Sequence, residues 1–242
     1  MKYTFLMILG VVAAMGFVAQ TASADMVLYI DDLATAGLDV LIVDGDAAGT
    51  AVDWTATTST IADPDGLDNG VISFNGALAG SVFTLNVTTG VSKPVIGPTR
   101  IDLNSVNVSG TGAGTLYIGL TDTDFLLGGA GPFSVANHIG GTTDGDVWST
   151  FSADEDNLEM GTGNIGWPLI GPLGPGAFAA SLSVSGLGAG DFSLSNTVTV
   201  HHYAAGDITS FNSTVVAIPA PGAMLLGLIG LGCVARIRRR VS

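Results

Sequence analysis

The sequence predicts an all-β fold, an antiparallel β-sandwich or jelly roll. Glycine supplies 35 of the 242 residues, and Ser, Thr, Asn and Asp fill most of the space between short apolar runs. No stretch outside the two ends keeps a helical i, i+3, i+4, i+7 apolar pattern for three turns. Residues 83–88 and 115–120 instead alternate apolar and polar side chains, which is typical of strands with one buried and one wet face.

Counting such runs between Gly and Asp turns predicts about twelve short strands. They cover residues 26–30, 38–43, 50–56, 70–75, 80–89, 100–109, 114–121, 132–139, 146–151, 177–185, 191–202 and 207–217. The apolar parity changes between Leu103 and Val106, so a β-bulge is expected near Asn104. Asn196 keeps the inward parity of its strand, which requires it on the inner face or at a bulge. Residues 154–176, rich in Gly and Pro around Trp167, predict a long loop.

The N-terminus predicts a secretory signal helix. Lys2 precedes an apolar stretch over residues 5–18, and Ala22-Ser23-Ala24 provides the small residues of a signal peptidase site. We therefore expect residues 1–24 to be removed, with Asp25 as the mature N-terminus. The alternative is a first transmembrane helix, but the apolar stretch is shorter than the roughly 20 residues that span a bilayer.

The C-terminus predicts a short membrane helix. Its apolar run, residues 222–235, follows Pro219 and Pro221 and is followed by Arg236, Arg238, Arg239 and Arg240. The arginines favour a cytoplasmic C-terminus, with everything before the run outside. As a helix the run reaches only about 21 Å, against about 30 Å of hydrocarbon, which suits a temporary hold in the membrane. An ordinary single-pass anchor is the alternative.

The order of these tail residues resembles a known sorting signal. Ile218-Pro219-Ala220-Pro221, the glycine-containing apolar run and the arginine cluster together resemble the PEP-CTERM signal of exopolysaccharide-producing Gram-negative bacteria. The resemblance implies export, transient insertion in the inner membrane, and removal of the tail by an exosortase. Ala220 stands where the family usually has glutamate, so the match is to a Pro-Ala-Pro variant. Residues 71–94 and 103–108 also look like stretches that recur in this group, and they imply membership only.

We therefore divide the chain into a signal peptide (1–24), one β-sandwich domain (25–217) and a sorting tail (218–242). All 21 acidic residues lie in the central domain, where Lys93 and Arg100 are the only basic residues. The resulting net charge of about −19 makes nucleic acid and anionic membrane surfaces poor partners. The only cysteine, Cys233, lies in the tail, so the domain has no disulfide.

The best candidate ligand site is an acidic turn. Asp63, Asp65, Asp68 and Asn69 bring several oxygens to one short segment, which suits calcium, although the spacing is not that of an EF-hand. The alternative is a solvated acidic turn. Three weaker acidic groupings are Asp154 to Glu159, Asp44 with Asp46, and Asp144 with Asp146. His201 and His202 are adjacent in a strand and point to opposite faces, which argues against a shared zinc ion.

The sequence contains no nucleophile elbow, zinc-protease motif or phosphate loop, so no enzymatic activity is expected. The interpretation is an exported acidic surface or extracellular-matrix protein with a structural or adhesive role, secreted or held at the cell surface. One alternative is a carbohydrate-binding module, which needs aromatic residues such as Trp167 and Tyr203 exposed along one face to contact extracellular polysaccharide. A less favoured alternative is a secreted hydrolase, which needs two carboxylates facing each other in a cleft.

Overall fold

The computed structural model describes residues 26–35, 39–47, 61–127, 133–161, 163, 165–188 and 190–218. Within these ranges it contains strands and no helix. The strands are β1 (Val27–Asp32), β2 (Val40–Val43), β3 (Val71–Ala77), β4 (Phe83–Val91), β5 (Arg100–Gly110), β6 (Gly114–Leu126), β7 (Phe133–Thr143), β8 (Asp146–Asp154), β9 (Leu169–Leu173), β10 (Gly176–Leu187), β11 (Asp191–His202) and β12 (Ile208–Ile218). The predicted all-β antiparallel sandwich is confirmed.

Two six-stranded sheets form the sandwich. Sheet A has the order β2-β1-β6-β11-β8-β9, and sheet B has the order β10-β7-β12-β5-β4-β3. From β5 to β12 the chain crosses between the sheets at every connection except β8 to β9, which is the pattern of a jelly roll. The β1–β2 pair extends sheet A beside β6, and the β3–β4 pair extends sheet B beside β5. Every described pairing is antiparallel, so one face of each sheet packs inward and the other faces outward.

The segment between β8 and β10 differs from its prediction. The predicted long loop over residues 154–176 is wrong in part, because it contains β9, an edge strand that pairs with β8. The glycine and proline of this strand do not show the apolar alternation that predicts strands. Pro172 is tolerated there because an edge strand needs only one row of hydrogen bonds.

The predicted strand 50–56, the signal helix 1–24 and the C-terminal membrane helix lie outside the described residues. Among the described residues, no helix is long and apolar enough to cross a bilayer.

The predicted bulge is confirmed. Phe211 pairs with Val106 and Ser213 pairs with Leu103, so Asn104 and Ser105 together oppose the single residue Asn212. Ser105 takes a left-handed conformation with φ of 54°, and its N–H donates to Asn212 Oδ1 at 2.7 Å. The extra residue explains why the apolar parity of the sequence changes at this point.

Asn196 lies on the inner face of its strand, which is one of the two positions predicted for it, the other being a bulge. It belongs to a polar network between the sheets. Its Nδ2 donates to the Ser213 carbonyl at 2.9 Å, and the Ser213 hydroxyl donates to Asn196 Oδ1 at 3.0 Å. The Ser213 hydroxyl also lies 3.2 Å from Asn137 Oδ1, and Asn137 Nδ2 donates to the Ser149 hydroxyl at 2.7 Å. The network joins β11 and β8 of sheet A to β12 and β7 of sheet B without leaving these amides unpaired.

A buried ion pair also joins the two sheets. Lys93, just after β4, places its Nζ 2.9 and 3.0 Å from the two carboxylate oxygens of Asp122 on β6. Both side chains are almost fully buried, at 7% and 0% exposure. The Lys93 ammonium also donates to the Thr123 carbonyl and lies 4.6 Å from the centre of the Phe125 ring. The Ser92 hydroxyl donates to the same carboxylate, so the charge of Asp122 is well compensated.

Lys93→Met is expected to lower the free energy of unfolding by about 3–5 kcal/mol, because it leaves the buried Asp122 carboxylate without its cation. The matched control is Arg100→Met, which removes one positive charge from a partly exposed pair with Asp102 and should cost at most about 1 kcal/mol. Urea unfolding at neutral pH measures both variants. Equal losses for the two substitutions would show that the ion pair between the sheets has no special weight.

Candidate functional site

Aromatic side chains line the outer face of sheet A. The register places Trp148 of β8 beside Thr199 of β11, Thr199 beside Tyr117 of β6, and Tyr117 beside Asp31 of β1. The flanking residues Val147, Val198 and Leu116 are fully buried in the core. Because side chains alternate along a strand, the row therefore points away from the core. Trp148, Tyr117 and Thr199 are half-buried, so part of each is available to a ligand.

A second row of side chains adjoins the first. Asp146, His201 and Thr115 are neighbours across β8, β11 and β6, and Thr115 Oγ1 lies 2.8 Å from His201 Nδ1. Tyr203, just beyond β11, is 56% exposed and meets the His201 ring edge to face at 4.8 Å. Its hydroxyl donates to the Asp146 carboxylate, which raises the pKa of Tyr203. We call the surface formed by Tyr117, Trp148, Thr199, His201, Tyr203 and Asp146 the aromatic face.

Glycines allow Trp148 and the neighbouring Tyr29 ring to lie close to the backbone. Gly171 of β9 sits beside Trp148, where an added Cβ would come within 2.9 Å of Trp148 Cδ1. Gly119 of β6 leaves room for the Tyr29 ring, which a side chain at that position would displace. The Tyr29 ring in turn lies 5.7 Å from the Tyr117 ring. The position of Trp148 therefore depends on a glycine of the neighbouring strand β9, and Gly119, on the same strand as Tyr117, makes room for the ring that packs beside Tyr117.

The segment after β8 covers the rest of this outer face. The Met160 N–H donates to Thr121 Oγ1 at 3.3 Å, and the Ser152 hydroxyl donates to the Gly161 carbonyl at 2.9 Å. The Ser193 hydroxyl donates to the Leu158 carbonyl at 2.6 Å. These contacts bury one end of the outer face, so the accessible part of it is the end that carries Trp148, Tyr117 and His201.

Only one of the two residues predicted to contact sugar belongs to this surface. Tyr203 is exposed and contacts His201, whereas Trp167 lies two residues before β9, half-buried, and no described ring contact joins it to Tyr203. The sequence pattern assigned neither Trp148 nor Tyr117 to a binding site. The outward parity of Tyr117 is readable from its buried neighbours Leu116 and Ile118. The strand order that brings it near Trp148 is not readable from spacing.

The two adjacent histidines point to opposite faces, as predicted. His202 is fully buried, with its ring 5.4 Å from that of Phe83 and its Nε2 3.0 Å from Thr209 Oγ1. Burial lowers the pKa of His202, so the neutral form is favoured. His201 belongs to the aromatic face. His138, on β7, lies on the outer face of the other sheet.

The outer face of sheet B has a different chemistry. A shallow depression there is lined by residues of β7, β10 and β12, which are His138, Ile139, Gly140, Ala179, Ala180, Ser181, Asn212 and Thr214. Apart from Ile139, whose side chain is buried in the core, these residues are small or polar, and none is a carboxylate or a large aromatic ring. A second depression, between β2 and β3, is lined mainly by apolar groups and contains one carboxylate, Asp39. Neither depression brings two carboxylates together.

The predicted calcium ligands are only partly brought together. The exposed Asp65 accepts from the Leu67 N–H and from Asn69 Nδ2, both at 2.9 Å, so these two side chains hold their own turn. Asp63 is 4% exposed and has one carboxylate oxygen without a partner among the described residues. Asp44, from the end of β2, joins it as a neighbouring charge that sequence spacing did not reveal. The prediction that calcium binds here stays a prediction.

Asp44 is the most perturbed carboxyl group of this turn. It is 7% exposed, and its Oδ2 accepts from the Gly70 N–H at 2.6 Å. Burial raises its pKa to about 6, and the nearby charges of Asp63 and Asp68 add to the shift. Across the described residues, no three His, Cys, Asp or Glu side chains are grouped closely enough to hold a metal ion.

The weaker acidic groupings have local structural partners. Asp154 is buried and accepts from the Asp156 N–H at 2.9 Å, while Glu155 accepts from the Gly188 N–H. Asp144 accepts from the Ile208 N–H at 3.0 Å, and Asp146 accepts from Tyr203. Each of these four carboxylates therefore has a hydrogen-bond donor from the protein itself, and the contacts connect turns to neighbouring strands.

Comparisons with known proteins give fold-level likeness at most. No protein-family model and no curated protein matches this chain. The solved structure of TmCBM61 in complex with beta-1,4-galactotriose is 11% identical, covering 61% of this chain and 100% of that one with a TM-score of 0.31. The CBM22-1 xylan-binding domain of Paenibacillus barcinonensis Xyn10C is 9% identical, covering 62% and 87% with a TM-score of 0.27. The K1 cleaved adhesin domain of Porphyromonas gingivalis Lys-gingipain is 9% identical, covering 65% and 89% with a TM-score of 0.26. These scores are too low to carry an argument about function.

Asp44→Asn is expected to raise the melting temperature by about 2–4 °C at pH 7.5 in EDTA and to change it little at pH 4. The pKa of Asp44 is higher in the folded protein than the usual aspartate value of 3.8, so its protonated form favours folding. That contribution is complete below about pH 4 and is lost as the pH rises through about 6, whereas asparagine stays neutral throughout.

The matched control is Asp65→Asn, because the hydrogen bond from Leu67 lowers the pKa of that exposed carboxyl group. The control should therefore give no gain at pH 7.5. Thermal unfolding followed by circular dichroism compares the variants, and added calcium chloride tests the predicted cation site in the wild type. An effect of Asp44→Asn that does not change with pH would contradict the raised pKa of Asp44.

Proposed function

We propose that this protein is an exported, non-catalytic β-sandwich that binds a polysaccharide on its aromatic face. The observation that carries the proposal is the row formed by Trp148, Thr199 and Tyr117, in which two half-exposed rings flank a hydroxyl on a rigid sheet. Sugar rings present apolar C–H faces and polar edges, and they bind where aromatic surface stands beside hydrogen-bonding groups. Asp146, His201 and Tyr203 supply the polar border of the same surface.

The spacing of the row favours a chain over a single sugar. Trp148 and Tyr117 lie two strands apart, which corresponds to about 10 Å in a β-sheet. A monosaccharide does not reach both rings, whereas an oligosaccharide crossing the strands contacts both and meets Thr199 between them. Because the rings rest on regular strands, little ordering of the protein accompanies binding.

The negative charge of the central domain limits which polysaccharides it can bind. The central domain carries about 19 net negative charges, and Asp146 and Asp31 border the aromatic face. An acidic polysaccharide would therefore be repelled, so the preferred ligand is neutral or carries amino groups. Catalysis has no part in the proposal, because the aromatic face offers no second carboxylate opposite Asp146 across a cleft.

The proposed export would bring this protein to a place where polysaccharide is present. The signal-like N-terminus and the PEP-CTERM-like tail support delivery to the cell surface or the extracellular matrix, where polysaccharide is available. Binding a neutral polymer would retain the released protein in that matrix. A structural or adhesive role and carbohydrate binding are therefore two aspects of one proposed function.

Trp148→Ala is expected to weaken polysaccharide binding at least about tenfold, since one stacked ring contributes a large share of a small aromatic site. Affinity gel electrophoresis against galactan, xylan, mixed-linkage β-glucan, dextran and chitosan would identify the ligand, and calorimetry would measure the affinity. The matched control is Trp167→Ala, which removes the same side chain from a half-buried position outside the aromatic face.

Thermal unfolding of both variants establishes that they are folded. Loss of binding in Trp167→Ala with normal binding in Trp148→Ala would move the site to the loop before β9. Unchanged binding in both variants, or no retardation of the wild type in any gel, would refute the aromatic face as a carbohydrate site.

The sorting proposal has its own test, the intact mass of the protein recovered from its native cells. Processing at both ends predicts a species that begins at Asp25 and ends near Pro219 to Pro221, found in the matrix fraction. A membrane-bound species that retains Arg236 to Arg240 would instead indicate a permanently anchored surface protein.

A further inference from the structure

The four edge strands of the sandwich differ in how they are protected against pairing with other strands. Natural edges are usually short, bulged, charged or interrupted by proline. β2 has 4 residues, β9 has 5 and contains Pro172, and β3 has 7 with a register shift between Phe74 and Gly76. β10 has 12 residues, and its register with β7 shifts only near its end, between Ser185 and Leu187. Among the described residues, β10 pairs with β7 alone, so its other edge is unpaired there.

β10 also lies in a charge-free part of a strongly acidic chain. No Asp, Glu, Lys or Arg occurs between Met160 and Gly190, a stretch that supplies both β9 and β10. The neighbouring strand β7 also lacks these four residue types. The strands β7, β9 and β10 themselves therefore contribute none of the charge that repels copies of this protein elsewhere on the surface.

The inward-facing side chains of β10 are incompletely covered. Phe178, Ala180, Leu182 and Val184 pack against the core, yet each stays half-buried, whereas the corresponding residues of central strands are fully buried. Their exposed parts form an apolar row directly beside the unpaired edge. A further strand added next to β10 would cover this row and satisfy the edge hydrogen bonds at the same time.

We propose that β10 pairs antiparallel with β10 of a second copy of this chain, joining the two B sheets across a two-fold axis. Antiparallel pairing of a strand with itself is self-complementary, because each residue meets its symmetry partner in the same environment. The absence of charged residues along 160–190 lowers the local repulsion at this edge between two molecules of about −19 net charge. The aromatic face belongs to sheet A, so dimerisation does not cover it.

Leu182→Lys tests the edge, because an inward-pointing lysine is the device by which natural edge strands prevent such pairing. Sedimentation velocity of the full chain over a concentration series should show a dimer for the wild type and a dissociation constant at least about tenfold higher for the variant. The matched control, Asn75→Lys, adds the same charge to an exposed position of the opposite edge strand β3 and should leave the dimer intact.

Single cysteines at residues 179 to 183 of β10, placed one at a time in a Cys233→Ser chain, provide a test that does not depend on a destabilising change. Residues directly opposite in an antiparallel pair have Cβ atoms about 4.5–5.5 Å apart, close to disulfide reach. Mild oxidation should therefore give cross-linked dimers that peak at one position, and Asn75→Cys should give none.

Two outcomes would overturn the proposal. One is a wild type that stays monomeric up to high micromolar concentrations, which would include the case in which another segment of the same chain covers β10. The other is equal dimerisation of Leu182→Lys and Asn75→Lys with no preferred cross-linking position on β10. Both leave the polysaccharide measurements unaffected, so the two proposals stand or fall separately.

Discussion

The buried pair of Lys93 and Asp122 is the constraint on which the relative placement of the two sheets depends. Lys93 follows β4 of sheet B and Asp122 lies on β6 of sheet A, so one cation joins both layers. Ser92, the residue before Lys93, connects the ion pair to the acidic turn. The Ser92 N–H donates to the Gly70 carbonyl at 2.9 Å, and the Gly70 N–H donates to Asp44, so the acidic turn is held by the residues that position the lysine. Tyr117 lies on the same strand as Asp122, so β6 carries both the ion pair and one ring of the aromatic face.

Charge is distributed unevenly over the fold, and that distribution separates its surfaces. Many described carboxylates hold turns, as Asp44, Asp144 and Asp154 do through backbone N–H groups. The aromatic face keeps Asp146 as a hydrogen-bonding group at its border. Residues 160–190, which supply β9 and β10, include no charged residue. A molecule that repels its copies elsewhere on its surface can still associate through such an edge.

Alternation of apolar and polar residues was sufficient to predict most strands, because each buries one face and keeps the other wet. It also located the bulge at Asn104, where a change of parity has no other explanation. It failed for β9, since glycine and proline conceal an edge strand that needs only one row of hydrogen bonds. The aromatic face was not predictable for a different reason. Trp148 and Tyr117 are 31 positions apart in sequence, and only the order β6-β11-β8 makes them flank Thr199.

The proposed binding face lies on sheet A and the proposed association edge lies on sheet B, and this arrangement has a consequence for affinity. A single aromatic row on a flat sheet is a small site, which favours weak binding to each stretch of polysaccharide. A dimer joined through β10 carries two such faces on one rigid body. Once one face is bound to a polymer, the second meets neighbouring stretches at high effective concentration, and retention exceeds that of either site alone. Weak individual contacts combined in this way would suit the proposed retention of this protein within an extracellular polymer.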